Sequence, residues 1–117
     1  MTKTQNTVLD ALLNAEAVSS KTIKLARLGD VTVNALNVEQ YAQAADDAHG
    51  NQTNFLVAMC VHGIEGAPFS KVELMQKYDA MSVMECARKA LLPGEVAEIG
   101  AAVAELSGFS ADGVEAV

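Results

Sequence analysis

The chain is poor in aromatic residues. Of 117 residues three are Phe, two are Tyr and none is Trp. A core built around large rings is therefore excluded, and Leu, Val, Ala, Ile and Met must supply it. Basic residues are scarce as well. Eight Lys and Arg stand against fifteen Asp and Glu, a net charge of −7. That balance argues against nucleic acid as a partner, because phosphates call for a basic face, and against an anionic membrane surface. No apolar run approaches the ~20 residues of a membrane helix. Asp10 and Asn14 interrupt the apolar segment that a signal peptide would need after Met1 to Asn6. The expected location is the cytoplasm. The two Cys residues, Cys60 and Cys86, fall in apolar helical patterns and read as reduced, buried thiols.

Groupings that carry chemistry are missing too. There is no Gly-rich phosphate loop, no metal-ligand spacing and no Gly-x-Ser-x-Gly elbow. His62 lies two positions from Cys60, so the two side chains leave one helix on different sides, which is wrong for a shared metal or a nucleophile–base pair. His62 reads as a core or edge histidine with one hydrogen bond, and His49 as a helix-end residue favoured by the dipole. Glu95, Glu98 and Glu105 form an acidic stripe that reads as a solvated face. No enzymatic activity, no metal and no cofactor is expected. An acidic carrier protein would need a Ser after Asp at a helix start, and the chain contains no Asp-Ser pair.

What is present is helix. Half the residues are hydrophobic, which argues against disorder. A chain of this length can hide about two-thirds of its unfolded surface in one core, so residues 1–117 are read as one domain, with 110–117 a frayed tail. Residues 7–17 predict a short helix with Val8, Leu9, Leu12 and Leu13 on one face and Asn6 or Thr7 as N-cap. Alternation through Ile23 and Leu25, and again through Val31, Val33 and Ala35, predicts a hairpin over 21–36 with Gly29-Asp30 as a two-residue turn. Asn37 and Gln40 form a capping box for the next helix, which His49-Gly50 ends. From Asn54 to about Ile64 the chain is apolar nearly all round, as a central helix must be. Ser70 with Glu73, and Ser82 with Glu85, predict capping boxes for helices near 71–78 and 83–92. The last helix has both ends written into it. Pro93 suits the first helical position, Leu92 is pushed out of the α region, Val96, Ile99, Val103 and Leu106 make one apolar stripe, and Gly108 suits a left-handed C-terminal position with Phe109 able to fold back. The fold class expected is mainly α within α+β: an N-terminal helix and a β-hairpin followed by about four helices.

The string Leu91-Leu92-Pro93-Gly94-Glu95, the apolar helix after it, and Gly108-Phe109 resemble the C-terminal signature of a tail assembly chaperone family of tailed phages and prophages. Leu74-Met75-Gln76-Lys77-Tyr78 and Val83-Met84-Glu85-Cys86-Ala87-Arg88-Lys89 occupy the places of that family's Leu-Gln-x-x-Tyr segment and the helix following it. Val33 to Gln40 is similar to its strand-to-helix junction. The similarity runs over roughly residues 15 to 110, and the Leu-Leu-Pro-Gly-Glu to Gly-Phe block is its specific part. One departure is local: the family often has Gly after the Tyr, where Asp79 and Ala80 follow Tyr78 here.

The resemblance implies a non-enzymatic assembly factor. It would bind the long helical tape measure protein, promote tail tube assembly around it, form homo-oligomers and be absent from the finished virion. An extended form made by frameshifting would reach the tail tube protein. The alternative is a small structural subunit of the tail or neck that stays in the particle. Methionine is the positive feature that bears on binding. Met59, Met75, Met81 and Met84 either fill gaps in the core or form an adaptable apolar surface, and exposure of two or more would favour the surface. The partner-binding residues expected are Met75, Met81, Met84, Val96, Ile99 and Phe109.

Overall fold

A computed structural model describes residues 2–15 and 20–109. Helix α1 spans Thr2–Asn14. It begins ahead of residue 7, and Asn6 and Thr7, expected as caps, lie inside it; a start signal is weak where capping-competent residues follow one another, as Thr2, Thr4, Asn6 and Thr7 do. The expected end of this helix at residue 17 and the tail 110–117 lie outside the described residues.

Strands β1 (Lys21–Leu25) and β2 (Gly29–Val33) pair antiparallel, with Lys21 opposite Val33 and Leu25 opposite Gly29. The turn is therefore Ala26, Arg27 and Leu28, not Gly29-Asp30. Gly29 still takes a left-handed conformation, φ +78°, as the residue closing a three-residue hairpin loop does. Arg27 thus sits at the tip of the hairpin, beyond the end of β1. A lone hairpin is marginal in water, and this one is tied down along β2. The N–H of Asn34 donates to the Gly63 carbonyl at 2.7 Å, and the N–H of Glu65 donates to the Thr32 carbonyl at 2.8 Å.

Among the described residues five helices follow, each at one of the segments that the sequence predicts to be helical. Helix α2 is Val38–Ala48. Asn37 and Gln40 exchange both capping-box bonds, at 2.8 and 3.0 Å, and His49 ends the helix at φ +51°. Helix α3 is Gln52–Gly63. It starts before Asn54 because Asn51 is the cap, accepting the Asn54 N–H at 2.9 Å. Helix α4 is Val72–Lys77, capped by no side chain. The Ser70–Glu73 box does not form, since Ser70 is taken up in a turn in which the Lys71 N–H donates to the Pro68 carbonyl at 2.9 Å. Helix α5 is Val83–Ala90. Ser82 caps it by accepting the Glu85 N–H, but the Glu85 carboxylate accepts from the Met81 N–H instead of returning to Ser82.

Helix α6 is Pro93–Leu106, with Leu92 extended before it. Half of a capping box exists there: Glu95 accepts the Leu92 N–H at 2.8 Å, while a leucine side chain has nothing to accept with. At the far end Gly108 takes φ +92°. The Phe109 N–H donates to the Ala104 carbonyl and the Gly108 N–H to that of Glu105, which is a Schellman motif.

Helix α3 is central and packs on α2, α5 and α6. Val57, Met59 and Cys60 meet Cys86, Ala87, Ile99 and Val103, and the hairpin adds Leu25 and Val33. The Val96–Ile99–Val103 stripe of α6 is thus core. Helices α3 and α6 approach closely because Gly63 has no side chain; a Cβ there would stand 2.9 Å from Val103 Cγ1.

Candidate partner-binding site

Among the described residues three concave surfaces on α2, α3, α5 and α6 bear on partner binding. The first is a groove of about 660 Å³ lined by residues of α2, α3 and α5. Val61, Val83 and Met84 supply its apolar part. Asp47 accepts from the Gln43 amide at 2.8 Å and lies 3.2 Å from His62 Nε2, so His62 has the one polar partner expected of it. The second is a hollow of about 370 Å³ bounded by Thr53, Leu56, Val57, Leu91, Pro93 and Val96, with Arg88 at its rim. The third lies between α2 and α3, with Tyr41 and Phe55 among its walls. Tyr41 stacks on Phe109 with ring centroids 5.1 Å apart and meets Phe55 edge-on at 5.3 Å. Phe109 therefore folds back onto α2, and it stays 59% exposed.

The six expected contact residues occupy different environments. Met81, in the loop before α5, is 89% exposed. Met84 is half-buried in the first groove and Met75 is half-buried against the core. Val96 is buried and forms the floor of the second hollow; Ile99 has no exposed surface. Met59 is buried. One methionine rather than two is exposed, so methionine alone does not mark a binding face.

Glu95 departs most from expectation. Read as part of a solvated stripe, it is 7% exposed. Both carboxylate oxygens accept from Arg27, with Arg27 Nε at 2.8 Å from Oε2, and Arg27 also donates to the Ala90 carbonyl at 2.8 Å. The Arg27 hydrogen bond holds the Glu95 carboxyl below the usual range, against the opposite pull of burial. Nothing local in the sequence announces this pair. The only signal at Glu95 is its place three residues after Leu92, where a return bond to a helix start is expected.

The thiols are held protonated. Burial pushes Cys60 up to about 12 and raises Cys86 as well, and the Cys60 Sγ lies 3.7 Å from the Val96 carbonyl. Among the described residues no group of three or more His, Cys, Asp or Glu could hold a metal ion, and no helix is long and apolar enough to cross a membrane.

The described surface thus offers grooves between helices, walled by apolar side chains with a few polar groups at the rims, which is how a protein receives helical or extended segments of another protein. The chain belongs to the Phage XkdN-like tail assembly chaperone protein family, whose sequence pattern matches residues 35–117. The matched span begins just after the hairpin and includes α2 to α6. No protein of curated function matches the chain, and neither does any solved structure.

Proposed function

We propose that this protein is a non-enzymatic assembly chaperone of a tailed phage or prophage, working in the host cytoplasm. It binds the tape measure protein and promotes assembly of the tail tube around it, associates with itself, and is left out of the finished virion. The family match over residues 35–117 carries this reading. The groove of α2, α3 and α5 supports it physically, since a flexible Met84 beside Val61 and Val83 suits varied apolar helical segments. The exposed Met81 and Phe109 and the half-buried Met75 are assigned to the client as further contacts, and Val96 lies beneath the second hollow, with the buried Ile99 in the core. A longer form of the chain made by frameshifting would carry the contact to the tail tube protein.

The test is co-expression with the tape measure protein encoded in the same genome. The protein should co-purify with it and keep it soluble, and should be missing from purified virions by mass spectrometry. Failure to co-purify would sink the reading. Presence in the virion at stoichiometric amounts would instead establish a structural subunit of tail or neck.

A further inference from the structure

Helix α1 carries an apolar face that is uncovered in the single chain. Val8, Leu9, Leu12 and Leu13 are 66, 53, 71 and 72% exposed. At 13 residues, α1 is at the length where an isolated helix is marginal in water. Burial of this face is what would make it persist. The body of the protein has a hollow of matching character, walled by Leu56, Val57, Leu91 and Val96 with Arg88 at the rim, and the chain's own α1 leaves it open.

We propose that two copies of this chain exchange α1 reciprocally, each helix lying in the other copy's hollow. The proposal rests on the reading that the chain self-associates, and it names the contact. Charge favours this occupant. Arg88 makes no ion pair among the described residues, while α1 brings Asp10 on the flank of its apolar face and a carboxyl end with no basic residue in the last turn. Both are negative features that a rim arginine complements. Area favours exchange over simple pairing of two α1 helices. Four side chains exposed to this degree amount to roughly 400 Å². Face-to-face pairing of two such helices buries about 800 Å² in total, the scale of a lattice contact, whereas exchange covers the same two faces and the lining of two hollows, which clears the roughly 1,000 Å² that a specific interface needs. Reciprocal exchange also closes with two-fold symmetry, so assembly stops at a dimer.

Sedimentation velocity of the full chain, without any client, should give a dimer at micromolar concentration. The double variant Leu12→Asp/Leu13→Asp should be monomeric with the thermal unfolding of the body unchanged. Arg88→Asp should weaken the dimer at least tenfold, and adding Asp10→Arg should restore much of the loss. Leu13→Cys chains mixed with Thr53→Cys chains should oxidise to a disulfide heterodimer, with Cys60 and Cys86 too buried to compete. A monomeric wild type, a dimer that survives the double Asp variant, or disulfides joining Leu13→Cys chains only to each other would each overturn the proposal. A monomeric wild type in which the double Asp variant loses tape measure protein would assign α1 to the client. Because no client enters the assembly measurements, their failure leaves the chaperone reading standing, and failure of co-purification leaves the exchange standing.

Discussion

Arg27 and Glu95, 68 positions apart, join the tip of the β-hairpin to the first turn of α6 through two side-chain hydrogen bonds. The pair has a pH signature. Glu95 titrates lower in the folded protein than the ~4.3 of an unperturbed glutamate, chiefly through the Arg27 hydrogen bond. A carboxyl whose pKa is depressed on folding adds stability above its unfolded pKa and loses it as pH falls through the folded value. Glu85 is lowered too, first by the Met81 N–H and then by Lys89, and acts with the same sign. Melting temperature should be nearly flat from neutrality to about pH 5 and should fall below it. Glu95→Gln should lower the neutral value and make the acid limb shallower, and an acid limb of unchanged slope would show that the pair contributes nothing.

Gly63 faces Val103 across the α3–α6 contact. Gly63→Ala should cost about 1–3 kcal/mol by overpacking. Combining it with Val103→Ala should recover part of that loss, which a denaturant melt of the two single variants and the double would read as a non-additive pair.

Asp79 takes φ +51°. The Ala80 N–H donates to the Met75 carbonyl at 2.8 Å and the Asp79 N–H to that of Gln76 at 3.2 Å, a Schellman end for α4 with aspartate in the position glycine prefers. Asp79 thus holds this turn without glycine, under some strain. Asp79→Gly should raise stability by up to ~1 kcal/mol, measured as a shift of the urea midpoint at constant slope.

Gly29 is the converse. Its φ is +78° with open space where a Cβ would stand, so conformation alone sets the cost of a side chain. Gly29→Val should destabilise by more than ~1 kcal/mol, and an unchanged melting temperature would mean that the loop does not hold this shape.

Val103 has no exposed surface and Met84 is half-buried in a groove. Val103→Asp should therefore cost several kcal/mol and unfold much of the protein. Met84→Asp should stay folded by circular dichroism yet lose capture of the tape measure protein. If Met84→Asp captures it as well as wild type, the groove of α2, α3 and α5 is not the client site.

The parts legible in the sequence were those whose cause is local. Asn37 with Gln40, Ser82 as a cap, Pro93 at a first helical position and Gly108 at a left-handed one all act within five residues, and each stands where the pattern puts it. Errors arose where neighbours compete for one job. Asn51 caps α3 three residues ahead of Asn54, where the apolar run begins, Ser70 goes to a turn that Pro68 opens, and Gly29 follows the hairpin loop as the first residue of β2 rather than opening the turn. The candidate site was legible only in residue type. Burial of Glu95, the Tyr41–Phe109 stack and the division of the methionines between core and surface depend on which helices meet, and helical periodicity carries no record of that.

The end of α6 is fastened in three ways. Its own Schellman motif closes it, the Ser107 hydroxyl donates to the Val103 carbonyl while accepting the Leu36 N–H, and Phe109 stacks on Tyr41. Mechanically this is an anchor. Tension applied to polypeptide joined beyond Phe109 would pass into α2 and the segment leading to it before it could unzip α6 turn by turn. Cargo tethered there would pull on the helical body as a whole.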